Sequence, residues 1–251
     1  MNAPARVAIV APGPSRHSYV ELAIDKMGRQ TMWDEVWGVN DAGQVLNVDR
    51  IFHMDDIAVY EIIQRHINPD LPGMYTWLRD FNGPIYTSTS MKDVLLASTN
   101  GCEETAEKLR ALWPLYEPYP NLVSYPLKEV IESVRPSHLN TTVAYAVAYA
   151  IYIGVEELAL FGCDFTYSSY LKAEAGRGCV EGLLGVARER GIKIFIPSTS
   201  TLMDANRKSR WYGYDIWDMD VTVGGDGVTI TKTPRAIPTG EEAVRMVAFD
   251  G

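Results

Sequence analysis

Small and polar side chains follow the first apolar run of the chain, in a pattern that suits a bound phosphate. The segment Ala11-Pro12-Gly13-Pro14-Ser15 comes directly after that run and directly before a helical pattern. We expect Gly13 to let the backbone pass close to a ligand, and Ser15 to cap the helix and donate to a phosphate. The glycine spacing differs from those of a dinucleotide fingerprint and of a P-loop. Taken alone, the segment is equally typical of an ordinary strand-to-helix turn with an N-cap.

Two more polar groups follow the second and third apolar runs. Asn40 and Asp41 come after the second run, and Asp55 and Asp56 come after the third. An asparagine at such a position can bind a base or a ribose, so Asn40 and Asp41 are candidates for nucleotide binding. Paired carboxylates can hold Mg²⁺ through phosphate oxygens. The alternative for Asp55 and Asp56 is the N-cap of the helix that follows them.

Small or hydroxylated residues mark three later strand ends and helix starts. They are Asn140-Thr141-Thr142, Phe161-Gly162-Cys163-Asp164-Phe165 and Ile196-Pro197-Ser198-Thr199-Ser200. Ligands of open α/β sheets bind beyond the carboxyl ends of the strands. We therefore expect these segments to converge with Gly13 and Asn40 on one binding cleft.

The elements that must position these residues alternate between strand and helix. The predicted strands are Arg6–Ala11, Glu35–Val39, Arg50–Met54, Gly83–Tyr86, Glu157–Phe161 and Lys193–Ile196. The predicted helices are Ser18–Met27, Ile57–His66, Cys102–Trp113, Thr141–Tyr152 and Glu174–Arg190. This alternation predicts an α/β fold with a Rossmann-like, mostly parallel sheet and helices on both faces.

The end of the chain differs in composition. It is rich in aromatic residues from Trp211, and glycines separate Val221–Val223 from Val228–Thr231, which predicts a hairpin. A short helix is expected over Glu241–Phe249. We predict a nucleotide-binding α/β domain over residues 1–206 and an aromatic-rich C-terminal extension over 207–251, packed on the same domain. Exposed aromatic side chains there would offer a surface for a homo-oligomer.

Charge and cysteine content limit the partners and the compartment. The 251 residues carry a formal net charge of −9, which argues against binding to duplex nucleic acid. The three cysteines are far apart, which predicts reduced thiols in a cytoplasmic protein. The apolar stretch from Thr141 to Phe161 is interrupted at Gly154 and is too short for a membrane span. No signal peptide is expected at the N-terminus.

The order of these motifs resembles that of the bacterial CMP-sialic-acid-dependent sialyltransferases. It is also similar to their relatives, the motility accessory factors and the archaeal 6-hydroxymethylpterin diphosphokinases. The resemblance runs from Val7 to Asn206, with many gaps between Ile57 and Arg135. Its most specific part is the segment from Thr141 to Phe165, where helix length, glycine position and the Gly-x-Asp-Phe ending all agree.

The resemblance implies a role for each matching position. The residues expected around the nucleotide are Gly13, Pro14 and Ser15 at the phosphates, Thr141 and Thr142 beside the ribose and phosphate, Gly162, Asp164 and Phe165 around the base, and Ser198 near it. Asn40 would contact the nucleotide-sugar donor. Tyr167 or Tyr170 would protonate or steady the leaving phosphate.

Three features depart from the family pattern. The sialyltransferases carry a histidine, their general base, in a lid after the tyrosine pair, whereas the short segment Lys172–Gly178 has none. His53 and His138 are the candidate bases by location, although a histidine near a strand end is more often structural. Asp55 and Asp56 have no counterpart in those metal-independent enzymes. The aromatic tail lies outside the shared region.

Three functions follow from these observations. The leading one is a sialyltransferase-like glycosyltransferase that moves a sugar from a nucleotide-sugar donor, with a CMP-sugar favoured, to a hydroxyl of a glycan or small-molecule acceptor. Such an enzyme would need no cofactor. The alternative is a phosphoryl or pyrophosphoryl transferase of the pterin diphosphokinase type, in which Asp55 and Asp56 hold Mg²⁺. The third is a catalytically idle nucleotide-binding protein that kept the cleft.

Overall fold

The structure is a computed structural model of the chain. It describes residues 3–25, 30–57, 59, 62–63, 66, 73–100, 103–166, 169–206, 213–214, 216–224, 227–235 and 239–241. The chain divides into two compact units, residues 1–206 and residues 207–251. The first unit carries the main sheet and the candidate site.

The sheet of the first unit is parallel throughout. Its strands are β1 (Arg6–Val10), β2 (Glu35–Val39), β3 (Arg50–Phe52), β4 (Ile85–Thr87), β5 (Leu122–Ser124), β6 (Glu157–Phe161) and β7 (Lys193–Phe195). They lie in the order β5-β4-β3-β2-β1-β6-β7, and each neighbouring pair is parallel. The order runs from β1 in one direction through β2 to β5, and in the other direction through β6 and β7. The topological switch point, where crevices form in such sheets, therefore lies between β1 and β6.

Helices cover both faces of this sheet. They are α1 (His17–Ala23), α2 (Met74–Asp80), α3 (Met91–Asn100), α4 (Glu103–Tyr116), α5 (Leu127–Val134), α6 (Thr142–Ile153) and α7 (Tyr170–Glu189). Alternate residues of β1 enter two separate cores: Val7 and Ile9 pack with α5, α6 and α7, whereas Ala8 and Val10 pack with α1 and α2. The predicted α/β class is therefore confirmed. None of the described helices is long and apolar enough to cross a membrane.

Helix α6 shows why the tyrosine- and alanine-rich segment folds as it does. Its alanines and valines are buried against the sheet, since small side chains let a helix lie close to the strands. Thr141 is its N-cap, and the helix ends at Gly154, whose φ of 74° lies in the left-handed region that favours glycine. The prediction over Thr141–Tyr152 agrees with this helix to within one residue at each end.

The region between the third strand and α6 departs most from the prediction. The sequence pattern gave neither β5 nor the helices α2, α3 and α5. Strand β5 has three residues and none is fully buried, so it leaves no apolar run to recognise. Helix α1 ends at Ala23, earlier than predicted, and α7 begins one turn earlier. The described residues of the predicted helix Ile57–His66 are helical.

The second unit contains an antiparallel hairpin, as predicted. Its strands, β8 (Trp217–Gly224) and β9 (Gly227–Pro234), are longer than expected and pair from Trp217–Pro234 to Gly224–Gly227. The predicted helix Glu241–Phe249 falls, apart from its first residue, outside the described residues. The packing of this extension on the first domain stays a prediction.

Candidate functional site

A cleft of about 500 Å³ opens at the carboxyl ends of β1 and β6, at the topological switch point. It is lined by Ala11, Pro12, Gly13, Pro14, Val39, Asn40, Asp55, Thr141, Thr142, Val143, Gly162, Cys163, Asp164, Phe165 and Thr166. These residues come from the loops after β1, β2, β3 and β6 and from the start of α6. The cleft is of the size that small-molecule sites have in proteins.

The loops after β1 and β6 touch each other through their backbones. The Gly13 amide donates to the Gly162 carbonyl at 2.9 Å, and the Ala11 amide donates to the Phe161 carbonyl at 2.8 Å. A Cβ on Gly13 would lie 2.3 Å from the Gly162 carbonyl oxygen. Gly13 is therefore required by the approach of the two loops, and its expected closeness to a ligand stays a prediction.

Asp164 and Ser15 lock these loops together through hydrogen bonds. The buried Asp164 carboxylate accepts from the Ser15 amide at 2.7 Å and from the Ser200 hydroxyl at 2.7 Å. The Ser15 hydroxyl accepts from the Gly162 amide at 2.9 Å. Ser15 does not line the cleft, and the prediction that its side chain caps the helix is wrong.

The start of α6 lines the cleft, and the first turn of a helix has backbone N–H groups that lack an internal partner. The Thr141 hydroxyl accepts from the Ala144 amide at 3.2 Å, which satisfies one of the amides that a helix leaves without an internal partner. Thr142 and Val143, the first helical residues, line the cleft. The helix dipole favours negative charge at this end. The arrangement suits an anionic group such as a phosphate.

Asn40 and His53 form a pair at the ends of β2 and β3. The Asn40 side-chain oxygen lies 3.1 Å from His53 Nδ1, and Asn40 holds a left-handed φ of 52°. Asn40 lines the cleft, whereas the ring of His53 is 1% exposed and does not. Burial lowers the pKa of His53, and the charge of Asp55 partly opposes that shift. His53 Nε2 has no hydrogen-bond partner in the described part of the chain.

The two neighbouring carboxylates have different environments. Asp55 lines the cleft. Asp56 accepts from the Tyr116 hydroxyl at 2.9 Å and from the Val59 amide at 3.2 Å, so it acts as the N-cap of the helix that follows. The described residues contain no group of three or more potential metal ligands. Only Asp55 of the two carboxylates therefore lines the cleft, and a Mg²⁺ site that uses both of them stays a prediction.

The remaining predicted residues lie away from the cleft or outside the described residues. Asp41 and Ser198 are exposed and do not line it. His138 is exposed, with Nδ1 2.8 Å from the Ser137 hydroxyl. Tyr170 begins α7 on a second cleft, which shares Asp164, Phe165 and Thr166 with the first. Tyr167 lies outside the described residues.

Sequence reasoning named Ser200 only as a member of the segment Ile196–Ser200, and it missed Gly176. Ser200 holds Asp164 in place, although the pattern singled out Ser198 two residues earlier. Gly176 in α7 lies where a Cβ would be 2.8 Å from both the Phe165 ring and the Thr141 methyl group. No spacing along the sequence gives the contact partners of Ser200 and Gly176, because each acts through a contact between segments far apart in the chain.

Comparisons with known proteins find similarity only among solved structures. No protein-family model and no curated protein matches the chain. The sialyltransferase CstII from Campylobacter jejuni in complex with the substrate analogue CMP-3FNeuAc is 16% identical over 97% of this chain and 99% of its own, with a TM-score of 0.43. The sialyltransferase CST-II in complex with trisaccharide acceptor and CMP is 16% identical over 96% of this chain and 99% of its own, with a TM-score of 0.43.

An alpha-2,3-sialyltransferase from Campylobacter jejuni in apo form is 17% identical over 76% of this chain and 74% of its own, with a TM-score of 0.37. Identities and TM-scores this low assign neither an activity nor a ligand to this chain.

Proposed function

We propose that this protein is a glycosyltransferase that takes its sugar from a CMP-sugar donor. The observation that carries the proposal is the cleft at the switch point, where the Gly-Pro loop, Asn40 and the start of α6 converge. These are positions at which the sequence resemblance to the sialyltransferases implies donor binding. The first turn of α6 would hold the phosphate, and Asn40 would contact the donor.

The charge of the cleft favours a monophosphate leaving group. Its described lining contains carboxylates but neither lysine nor arginine, so amides and hydroxyls are the groups that would meet a phosphate. Enzymes that transfer phosphoryl groups of di- and triphosphates neutralise them with lysine, arginine or Mg²⁺. A helix N-terminus can hold a phosphate through its amides and its dipole. A nucleoside monophosphate therefore suits this cleft better than a more highly charged nucleotide.

The reaction would be a displacement at the anomeric carbon of the sugar. A bond forms between that carbon and the acceptor oxygen, while the bond to the phosphate oxygen breaks and its electron pair leaves with CMP. Amides aimed at the phosphate stabilise the charge that develops there. The proton of the acceptor hydroxyl must pass to a base.

Asp55 is the side chain that we propose as this base. Three titratable side chains line the described wall of the cleft. Asp164 is hydrogen-bonded on both carboxylate oxygens, and the buried Cys163 is held as a thiol because burial raises its pKa. That leaves Asp55, a partly exposed carboxylate, to take the proton.

The test is release of CMP from CMP-sialic acid in EDTA, with and without glycan acceptors. We expect acceptor-stimulated release by the wild-type protein and a loss of roughly 10²–10⁴-fold in Asp55→Asn. Asp56→Asn is the matched control, because an asparagine can keep the N-cap and Asp56 is engaged with Tyr116 outside the cleft. Its rate should stay near that of the wild type.

Two results would contradict the proposal. CMP binding without release from any CMP-sugar would favour an idle nucleotide-binding protein. Equal rates in Asp55→Asn and the wild type would place the base elsewhere.

A further inference from the structure

The pairing of His53 with Asn40 decides which end of the Asn40 amide meets a ligand. An asparagine side chain has a carbonyl oxygen that accepts and an NH₂ group that donates two hydrogen bonds. The oxygen lies 3.1 Å from His53 Nδ1. The NH₂ group is therefore left to the cleft that Asn40 lines.

We propose that His53 is a positioning residue that turns the Asn40 NH₂ group into the cleft, so that the cleft selects ligand atoms that accept hydrogen bonds. The identity of that ligand as a nucleotide rests on the proposed function. The role of His53 itself rests on its contact with Asn40.

The chemistry of the contact fixes the tautomer of His53. Because Asn40 presents an oxygen, Nδ1 must carry the hydrogen and donate it. Burial keeps the ring neutral by lowering its pKa, so Nε2 is left without a proton. The ring lies edge-on to Tyr75, with the ring centroids 5.7 Å apart. A neutral histidine held in this way is a hydrogen-bond donor to Asn40.

The position of His53 separates this role from that of a general base. Its ring is 1% exposed and does not line the cleft, whereas a base must come within hydrogen-bond reach of the proton it takes. Without His53, the Asn40 amide could rotate by half a turn and present its oxygen instead.

A donor at this position suits a phosphate oxygen or another acceptor atom of a nucleotide. The start of α6, on the same cleft, also offers N–H donors. The described lining therefore presents donors from two separate elements, the loop after β2 and helix α6. A ligand rich in acceptor oxygens satisfies both.

The tautomer of His53 can be measured in the free protein by ¹⁵N NMR of the imidazole nitrogens. The chain has four histidines, so His53→Gln identifies the signals of His53 by their loss. We expect Nδ1 to be protonated and Nε2 to be unprotonated at neutral pH. In Asn40→Ala the preference for Nδ1 protonation should disappear. Protonation of Nε2 instead would overturn the proposal, because the Asn40 oxygen would then face no donor.

Ligand binding gives a second, independent readout with CMP as the probe. His53→Leu removes the donor and should weaken CMP binding about two- to tenfold, the value of one neutral hydrogen bond. His53→Asn places an amide NH₂ near the position of Nδ1 and should restore part of the affinity. In Asn40→Asp an oxygen replaces the NH₂ group and should cost at least about tenfold. Wild-type affinity in both His53→Leu and Asn40→Asp would refute the positioning role.

The two proposals fail in different ways. If the wild-type protein binds no nucleotide, the proposed function fails, while the tautomer of His53 still decides the role of that residue. If nucleotide binds but His53 carries its proton on Nε2, the positioning role fails and the proposed function stands.

Discussion

Helix α7 offers a test of the cleft that needs no ligand. It contains four glycines, Gly176, Gly178, Gly182 and Gly185. A change of glycine to alanine inside a helix stabilises the helix by about 0.8–1 kcal/mol. An added Cβ on Gly182 would meet nothing within 4 Å, so Gly182→Ala should raise the free energy of unfolding by that full amount.

Gly176→Ala should behave differently because Gly176 packs against Phe165 and Thr141, which line the cleft. Its Cβ would lie 2.8 Å from the Phe165 ring and 2.8 Å from the Thr141 methyl group. That is about 1 Å closer than a favourable carbon–carbon contact. Overpacking of this kind costs about 1–3 kcal/mol. We therefore expect the free energy of unfolding of Gly176→Ala to be about 1–3 kcal/mol lower than that of Gly182→Ala.

Urea unfolding of the two variants and the wild-type protein measures this difference. Because Phe165 and Thr141 line the cleft, Gly176→Ala should also weaken CMP binding, whereas Gly182→Ala should leave it unchanged. Equal stability of the two variants, with unchanged CMP affinity in both, would show that α7 does not pack on the cleft as described.

Three further predictions concern single contacts. Asp164→Asn places an NH₂ group against the Ser15 amide or the Ser200 hydroxyl, so urea unfolding should show a free energy of unfolding lower by about 1–3 kcal/mol. Unchanged stability would exclude the loop-locking role of the carboxylate. Thr141→Val removes the N-cap of α6 and should lower the free energy of unfolding by about 1 kcal/mol, whereas Thr141→Ser should stay near the wild type. Equal losses in the two variants would exclude the cap. The pKa of His53 is lowered in the folded protein, so the unfolded chain binds the proton more readily, and stability should fall as the pH drops below about 6.5. Denaturation at several pH values should show this part of the pH dependence missing in His53→Gln, and its persistence there would assign it to other groups.

The general architecture could be predicted because its central elements are strongly patterned. Strands β1, β2 and β6 are buried and leave apolar runs, and α6 has a clear N-cap and a terminal Gly154. The edge strand β5 is short and partly exposed, so no periodicity reveals it. The helices that were not predicted, α2, α3 and α5, fall in the same weakly patterned region between β3 and α6.

The place of the candidate site could be predicted, but not the direction of each side chain in it. Gly13, Asn40, Thr141 and Gly162 converge because parallel strands end at one edge of the sheet.

Neighbouring residues beyond a strand end point in different directions, and contacts within and between the loops determine each direction. Asp55 reaches the cleft while the adjacent Asp56 caps a helix, and Asp164, which also lines the cleft, is buried and hydrogen-bonded to Ser15 and Ser200. Such directions depend on partners far away in the chain, such as Tyr116 and Ser200.

The central claim is that a nucleoside monophosphate binds in the cleft at the switch point without metal. It is tested most directly by thermal shift with CMP, CDP, UDP, GDP and ATP, each in Mg²⁺ and in EDTA. Ligand at 100 times its Kd stabilises the folded state by about 2.7 kcal/mol, which such an assay detects. Asn47→Ala serves as the control for Asn40→Ala, because Asn47 is exposed and does not line the cleft.

We predict stabilisation by CMP that is equal in Mg²⁺ and EDTA, reduced in Asn40→Ala and retained in Asn47→Ala. Stabilisation by di- or triphosphates alone, and only with Mg²⁺, would contradict the claim, as would no response to any nucleotide.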